Sequence, residues 1–242
     1  MPEIGDAKLL DDHEMRPPLE YALEPDDPEA PAFQMDVSIE DLPLMPEPDS
    51  ELQFSQSIGG VTFVIVAIAA AVGVTHGVGL NLHSLPDTWW WASLIFIYAQ
   101  AAAALGCLAI LLFGDPGRIL RSEVTCYPVP PEVAERLKSG ESLEGLENVR
   151  DGNRSYCVRC CVWRTHPMVS PSLLCCFDCE RHPHHCRVCG RCVDGFDHHC
   201  GVFGRCIANK NMPFFAMLVG LGYVGFISTL VITIVSIGLS YD

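Results

Sequence analysis

Basic side chains are scarce. The 242 residues carry 15 Lys and Arg against 30 Asp and Glu, a formal net charge of -15. A nucleic-acid binder held by a global basic field is excluded, because the field would have the wrong sign. Charged residues of either sign make only 19% of the chain, against 49% hydrophobic, and mean hydropathy is +0.24. That balance excludes a wholly disordered chain. No charged stretch followed by a short apolar one opens the sequence, so it reads as lacking a secretory signal peptide. At roughly 100–200 residues per domain, the length fits one or two units.

What charge there is lies unevenly. The first 57 residues hold 16 acidic and two basic side chains, Lys8 and Arg16, with prolines from Pro2 to Pro48 and no sustained helical or strand period. Residues 1–57 therefore read as an acidic disordered tail. Within it, Phe33–Met35 and Leu42–Met45 are short apolar clusters that offer docking points to a partner.

Charge then vanishes in three runs: Leu52 to Pro86, Thr88 to Gly114 and Asn211 to Tyr241. A membrane-spanning helix needs about 20 mostly apolar residues. The runs predict transmembrane helices over 58–80, 89–113 and 214–238. Trp89, Trp90 and Trp91 stand at the edge of the second, where amphipathic rings prefer the headgroup zone. Thirteen of the 15 basic residues lie between Asp115 and Pro213, and the loop between the first two runs has none. By the positive-inside rule the 114–213 segment and the acidic tail are cytosolic, and 81–88 faces the lumen or exterior.

Of 13 cysteines, 11 fall between Cys157 and Cys206, outside them only Cys107 and Cys126. A cytosolic loop is reducing, which disfavours disulfides. Zinc is the alternative, because a Cys-x-x-Cys pair sets two thiolates on one turn at two corners of a tetrahedron. The pairs are Cys157/Cys160, Cys176/Cys179, Cys186/Cys189 and Cys189/Cys192, joined by His182, His184, His185, His198 and His199. Such a loop has few large apolar residues. Structural zinc would supply about 10–16 kcal/mol of apparent binding energy that the unfolded chain cannot collect.

Inside the cluster stands Asp197-His198-His199-Cys200. A thiol is mostly protonated at neutral pH. An adjacent imidazole can take its proton, and a carboxylate can orient that imidazole. Cys200 therefore reads as a nucleophile or as a fourth metal ligand, and spacing alone leaves both open.

Residues 186–215, CRVCGRCVDGFDHHCGVFGRCIANKNMPFF, resemble the DHHC cysteine-rich domain of protein S-palmitoyltransferases. The frame runs H-C-x2-C-x2-C-x4-D-H-H-C-x5-C, then Asn211 and the pair Phe214-Phe215. Asp115-Pro116-Gly117 is similar to the family's DPG motif. The resemblance implies a mainly α fold of polytopic transmembrane helices, three visible of the usual four, with a cytosolic zinc-binding domain of short strands and loops. The resemblance spans about residues 55–240 and leaves the acidic tail outside; the chain then divides into 1–57 tail, 58–113 helices 1 and 2, 114–155 linker with the DPG motif, 156–213 cysteine-rich domain, and 214–242 helix 3 and end. The resemblance implies Cys200 as nucleophile, His198 as base and Asp197 as its orienting carboxylate. It implies two structural zincs, one on Cys186, Cys189, His199 and Cys206, the other on His185, Cys192 and an upstream pair. That pair is Cys157/Cys160 rather than Cys176/Cys179, which lies too close to Cys186. The co-substrate would be palmitoyl-CoA or a similar acyl-CoA. The acceptors would be proteins with membrane-proximal cysteines, at an endomembrane bilayer such as Golgi or ER.

The sequence departs from the family in three places. Thr165–Cys179 reads as an insertion, since Cys160 and Cys186 stand 26 positions apart. Gly201-Val202 replace the family's Pro-Trp. The fourth helix and the family's carboxyl motifs are not in the 242 residues. Two expectations follow: an S-acyltransferase, and a catalytically inactive, membrane-anchored zinc-binding interaction module or truncated enzyme. Topology is tested by glycosylation mapping. An acceptor site near Ser139 should stay unmodified, and one in a lengthened 81–88 loop should be glycosylated; the reverse pattern would overturn the orientation.

Overall fold

The computed structural model describes residues 37–166 and 181–241. In chain order its helices are α1 (Ser50–Val74, continued by a π-helical turn Thr75–Leu80), α2 (Asp87–Phe113), α3 (Glu123–Cys126), α4 (Pro131–Ser139) and, last, α5 (Met212–Ser240). Seven short strands lie between α4 and α5: β1 (Val149–Asp151), β2 (Arg154–Cys157), β3 (Val162–Thr165), β4 (His184–Cys186), β5 (Arg191–Val193), β6 (Phe196–Cys200) and β7 (Arg205–Ala208).

Three helices are long and apolar enough to cross a membrane: Ser50–Leu80, Asp87–Phe113 and Met212–Ser240. Each packs against the other two. The Asp49 carboxylate caps α1 by accepting from Leu52 N at 2.9 Å. Pro213 sits in the first turn of α5, where a missing N–H costs nothing. Some polar groups inside the bundle find partners across it, while Gln100 Nε2, Thr233 Oγ1 and Ser236 Oγ have none among the described residues. Thr75 Oγ1 donates to Ala71 O, and it meets Thr229 Oγ1 at 3.1 Å. Ser84 Oγ donates to Ser236 O at 2.6 Å. Such bonds satisfy hydroxyls that lipid could not.

All three helices extend beyond the expected spans, and α1 does so most, beginning at Ser50 instead of 58. Its first turns carry Gln53, Gln56 and Ser57, which an apolarity pattern discards. They bond to the cysteine-rich region: Gln53 Nε2 donates to Val188 O at 2.9 Å and Ser57 Oγ to Phe203 O at 2.7 Å.

The strands form three separate antiparallel sheets: a β1-β2-β3 meander and the hairpins β4-β5 and β6-β7. The 114–155 stretch is more than a linker, because it contains α3, α4 and β1 and ties the helices to the strands. Asp115 Oδ1 accepts from the backbone N–H of Gly117 and Arg118 where the chain leaves α2. Gly117 O then accepts from Asp194 N, and Ile119 N donates to Cys192 O, so the Asp-Pro-Gly segment pairs along β5.

The expected 1–57 tail does not reach 57 in the described residues. Val37 and Leu42 are buried in one core with Cys126, Val133, Tyr156 and Trp163, and Met45 packs on it. Arg191 Nη1 donates to Pro46 O, and Asp49 N donates to Val188 O at 2.9 Å. The Leu42–Met45 cluster, expected to offer a docking point to a partner, packs instead on this chain's own core and with Val37 forms a strap. Residues 1–36, with Phe33–Met35, and 167–180, with most of the expected insertion, lie outside the described residues.

At Gly60, α1 passes close to the turn after Cys200. A Cβ there would stand 1.8 Å from Val202 O, whereas one at Gly59 would meet nothing within 4 Å. Gly59→Ala should be neutral or raise stability by up to about 1 kcal/mol through helix propensity. Gly60→Ala should lower it by about 1–3 kcal/mol, as overpacking does. Thermal unfolding in detergent is the measurement, and equal effects at the two positions would contradict the docking.

Candidate metal centres and the Asp197–Cys200 strand

Two quartets come together, Cys157, Cys160, His185 and Cys192, and Cys186, Cys189, His199 and Cys206. In each, the four ligand atoms lie within 4.8 Å of one another. The eight are those that the family resemblance implies. Cys176 and Cys179, the competing pair, lie outside the described residues. His182 and His184 join neither quartet.

Strand geometry assembles them. In β4, His185 and the next residue, Cys186, point to opposite faces. His185 therefore enters the first quartet and Cys186 the second. His185 stands opposite Cys192 across the β4-β5 hairpin, and His199 stands opposite Cys206 across β6-β7. Each quartet is a cross-strand His–Cys pair joined by a Cys-x-x-Cys turn. Gly190, after Cys189, has φ +62°, the left-handed region that suits glycine. Cys161, after Cys160, occupies the equivalent position at φ +54°, and its N–H donates to Cys157 O.

The distances suit a tetrahedral dication. Nδ1 of His185 lies 3.7, 3.2 and 3.8 Å from the sulfurs of Cys157, Cys160 and Cys192. Nδ1 of His199 lies 3.5, 3.5 and 3.9 Å from those of Cys186, Cys189 and Cys206. Metal–ligand bonds of about 2.0–2.3 Å give tetrahedron edges of about 3.5–3.8 Å. The thiols themselves are strongly coupled. Cys157 accepts from Cys160 and Cys192, Cys186 accepts from Cys189 and Cys206, and both are held far below the ordinary thiol value. Donating those bonds pushes Cys160 and Cys189 up to about 11, and burial adds to the rise. Three sulfurs this close share one negative charge, and a central dication lets all three ionise. Each quartet could hold a metal ion, and three sulfurs with one imidazole suit zinc.

The same alternation places the Asp197–Cys200 motif. His199 turns toward the second quartet, while His198 and Cys200 share the other face of β6. His198 Nδ1 lies 2.7 Å from Asp197 Oδ2. Arg181 Nε donates to Asp197 Oδ1 at 2.9 Å and its Nη1 to Asn209 Oδ1 at 3.0 Å. The hydrogen bond to His198, then that from Arg181, holds the Asp197 carboxyl below its ordinary range despite partial burial. Cys200 is buried among Ala104, Cys107, Leu108 and Leu111 of α2 with Phe203, Ile207 and Leu218. Its thiol thus sits against the apolar helices, while His198 is partly exposed and rests its ring edge on Phe215, 5.6 Å away.

Beside the first quartet is a cavity of about 950 Å³, lined by Arg150, Arg154, Arg159, Arg164 and Arg187 together with His166, His182 and His184. Arg164 is buried, and its Nε has no hydrogen-bond partner among the described residues. Desolvation, then nearby cationic groups, lowers the pKa of His166, and desolvation and Arg164 lower that of His184. The cavity borders the motif strand through the His184 ring, 4.8 Å from Phe196. Sequence reasoning missed this cavity, and also Arg181 and Gln56. The arginines are scattered over three strands and two turns, and only the positive balance of that segment hinted at them.

Residues 172–242 match the family model described as DHHC palmitoyltransferase, so the chain carries a DHHC palmitoyltransferase domain there. Cys157 and Cys160 precede the matched stretch. Comparison with curated proteins gives no match. Metal analysis of the purified chain should give two equivalents of divalent metal. Cys157→Ala and Cys189→Ala should each lose one or both, since metal and fold are linked. Two equivalents retained in either variant would reject that quartet.

Proposed function

We propose that the chain is a protein S-acyltransferase that moves a long acyl group from acyl-CoA through Cys200 to cysteine thiols of membrane-associated proteins. The observation that carries this reading is the division of labour along β6. His199 faces a metal quartet, whereas Cys200 and the Asp197-paired His198 share the opposite face. The family match over 172–242 supports the same reading.

In the first step His198 takes the Cys200 proton, and the thiolate attacks the thioester carbon of acyl-CoA. The carbon–sulfur bond to CoA breaks, and the departing CoA thiolate recovers the proton from His198. In the second step the thiol of an acceptor protein gives its proton to His198 and attacks the Cys200 thioester. The acyl group transfers, and Cys200 leaves with the proton restored. One thioester replaces another at each stage, so the site must position and exchange protons, not drive an uphill reaction. Asp197 holds the imidazole in register, with Arg181 bracing the carboxylate.

The surroundings suit both ends of the substrate. The five-arginine cavity offers charge-assisted donors to the phosphates of CoA. The apolar residues around Cys200 lead toward the helices, where a sixteen-carbon chain would gain about 0.8 kcal/mol per buried methylene. The two metals are read as zincs in closed sites of four protein ligands, holding the fold and taking no part in the transfer. The 13 basic residues between Asp115 and Pro213 support a cytosolic side for this domain, and the resemblance implies an endomembrane, where acyl-CoA and the acceptor cysteines would meet it.

Cys200→Ser should abolish hydroxylamine-sensitive labelling by an acyl-CoA analogue with zinc content unchanged. His198→Ala should slow acylation by about 100- to 10,000-fold, the loss expected for a general base, again with zinc retained. Full labelling in Cys200→Ser, or zinc lost from it, would leave an inactive metal-bound interaction module as the reading.

A further inference from the structure

The first turns of α1 present Gln53, Gln56, Ser57 and Gly60, spaced as one helical stripe. These four are half-buried or buried, while Phe54, Ser55, Ile58 and Gly59 are exposed. The stripe meets the second quartet and the turn after Cys200. Gln53 bonds Val188 O inside the Cys186–Cys189 turn, Ser57 bonds Phe203 O, and Gly60 lies under Val202 O. Gln56 reaches furthest: its Oε1 lies 3.0 Å from His199 Nε2.

That contact has a chemical direction. His199 points Nδ1 at the three sulfurs of its quartet. A metal-bound Nδ1 carries no proton, so the neutral ring carries it on Nε2. Nε2–H then donates to the Gln56 oxygen, fixing both the tautomer and the ring plane. The same imidazole is followed directly by Cys200, whose position therefore depends on how His199 is held.

We infer that Gln56 is a positioning residue: from the first membrane-embedded helix it orients the metal ligand His199, and through it the strand that carries Cys200. This rests on reading the second quartet as a metal centre. Because the bond needs an acceptor and nothing else, Gln56→Glu preserves it and Gln56→Leu deletes it at similar size and helix propensity.

The test uses the full chain in detergent, loaded with zinc, and follows release to a chromogenic chelator. Gln56→Leu should release one of its two zincs about 10- to 100-fold faster than the unaltered protein, the usual cost of losing an outer-shell partner. The other zinc, in the first quartet, should leave at the unaltered rate, and Gln56→Glu should release both as the unaltered protein does. Acylation of Cys200 should fall as the second quartet's zinc is lost in Gln56→Leu and recover in Gln56→Glu. Release unchanged in Gln56→Leu would overturn the proposal. So would equal acceleration of both zincs, or a Glu variant as impaired as the Leu variant, since each points to packing instead of a directed bond. An unaltered protein that holds fewer than two zincs would instead sink the metal reading itself.

Discussion

Neighbouring residues on a β-strand face opposite ways, and the arrangement of the cysteine-rich region depends on that constraint. His185 and Cys186 are adjacent in β4 but belong to different quartets. His199 and Cys200 are adjacent in β6, and one joins a quartet while the other faces the apolar helices. A slip of one residue in either hairpin would exchange these partners and send Cys200 into a metal centre. The cross-strand registers His185 with Cys192 and His199 with Cys206 guard against that slip, because the metal-binding atoms meet only in one pairing.

The candidate ligands and the packing share residues in this region. The core that surrounds the first quartet counts Cys157, Cys160, Cys161 and Cys192 among its members beside Tyr156, Val162 and Trp163. Thiols there fill the core as small apolar groups, and three of the four also stand in the quartet that could hold a metal ion. The strands are short, at three to five residues each, and a metal ion in each quartet would fasten one hairpin to the next.

Much of this was legible in the sequence. Uncharged runs revealed the three long helices, and Cys-x-x-Cys spacing exposed the region whose clusters could hold metal. The partition into quartets came from resemblance, because spacing does not say which pair meets which. The start of α1 was hidden by Gln53, Gln56 and Ser57, whose polarity looks like solvent exposure and is contact with the hairpins. The strap over residues 37–49 was half legible: Leu42–Met45 stood out as a docking cluster, but the surface it meets is this chain's own core, which forms only after folding. The basic cavity was hidden because its arginines become neighbours only after the strands fold.

The cysteine-rich region is joined to each long helix by a different device. α5 begins within a few residues of β7, α2 leads into the Asp-Pro-Gly segment paired along β5, and α1 grips two turns through its polar stripe. Since each helix touches the other two, the three attachments form a triangle and not a line. A body supported at three such points resists tilting and rotation alike, as a tripod does. The height of Cys200 relative to the helix ends is thus a fixed dimension of the molecule, and any tilt of one helix must be shared by the other two.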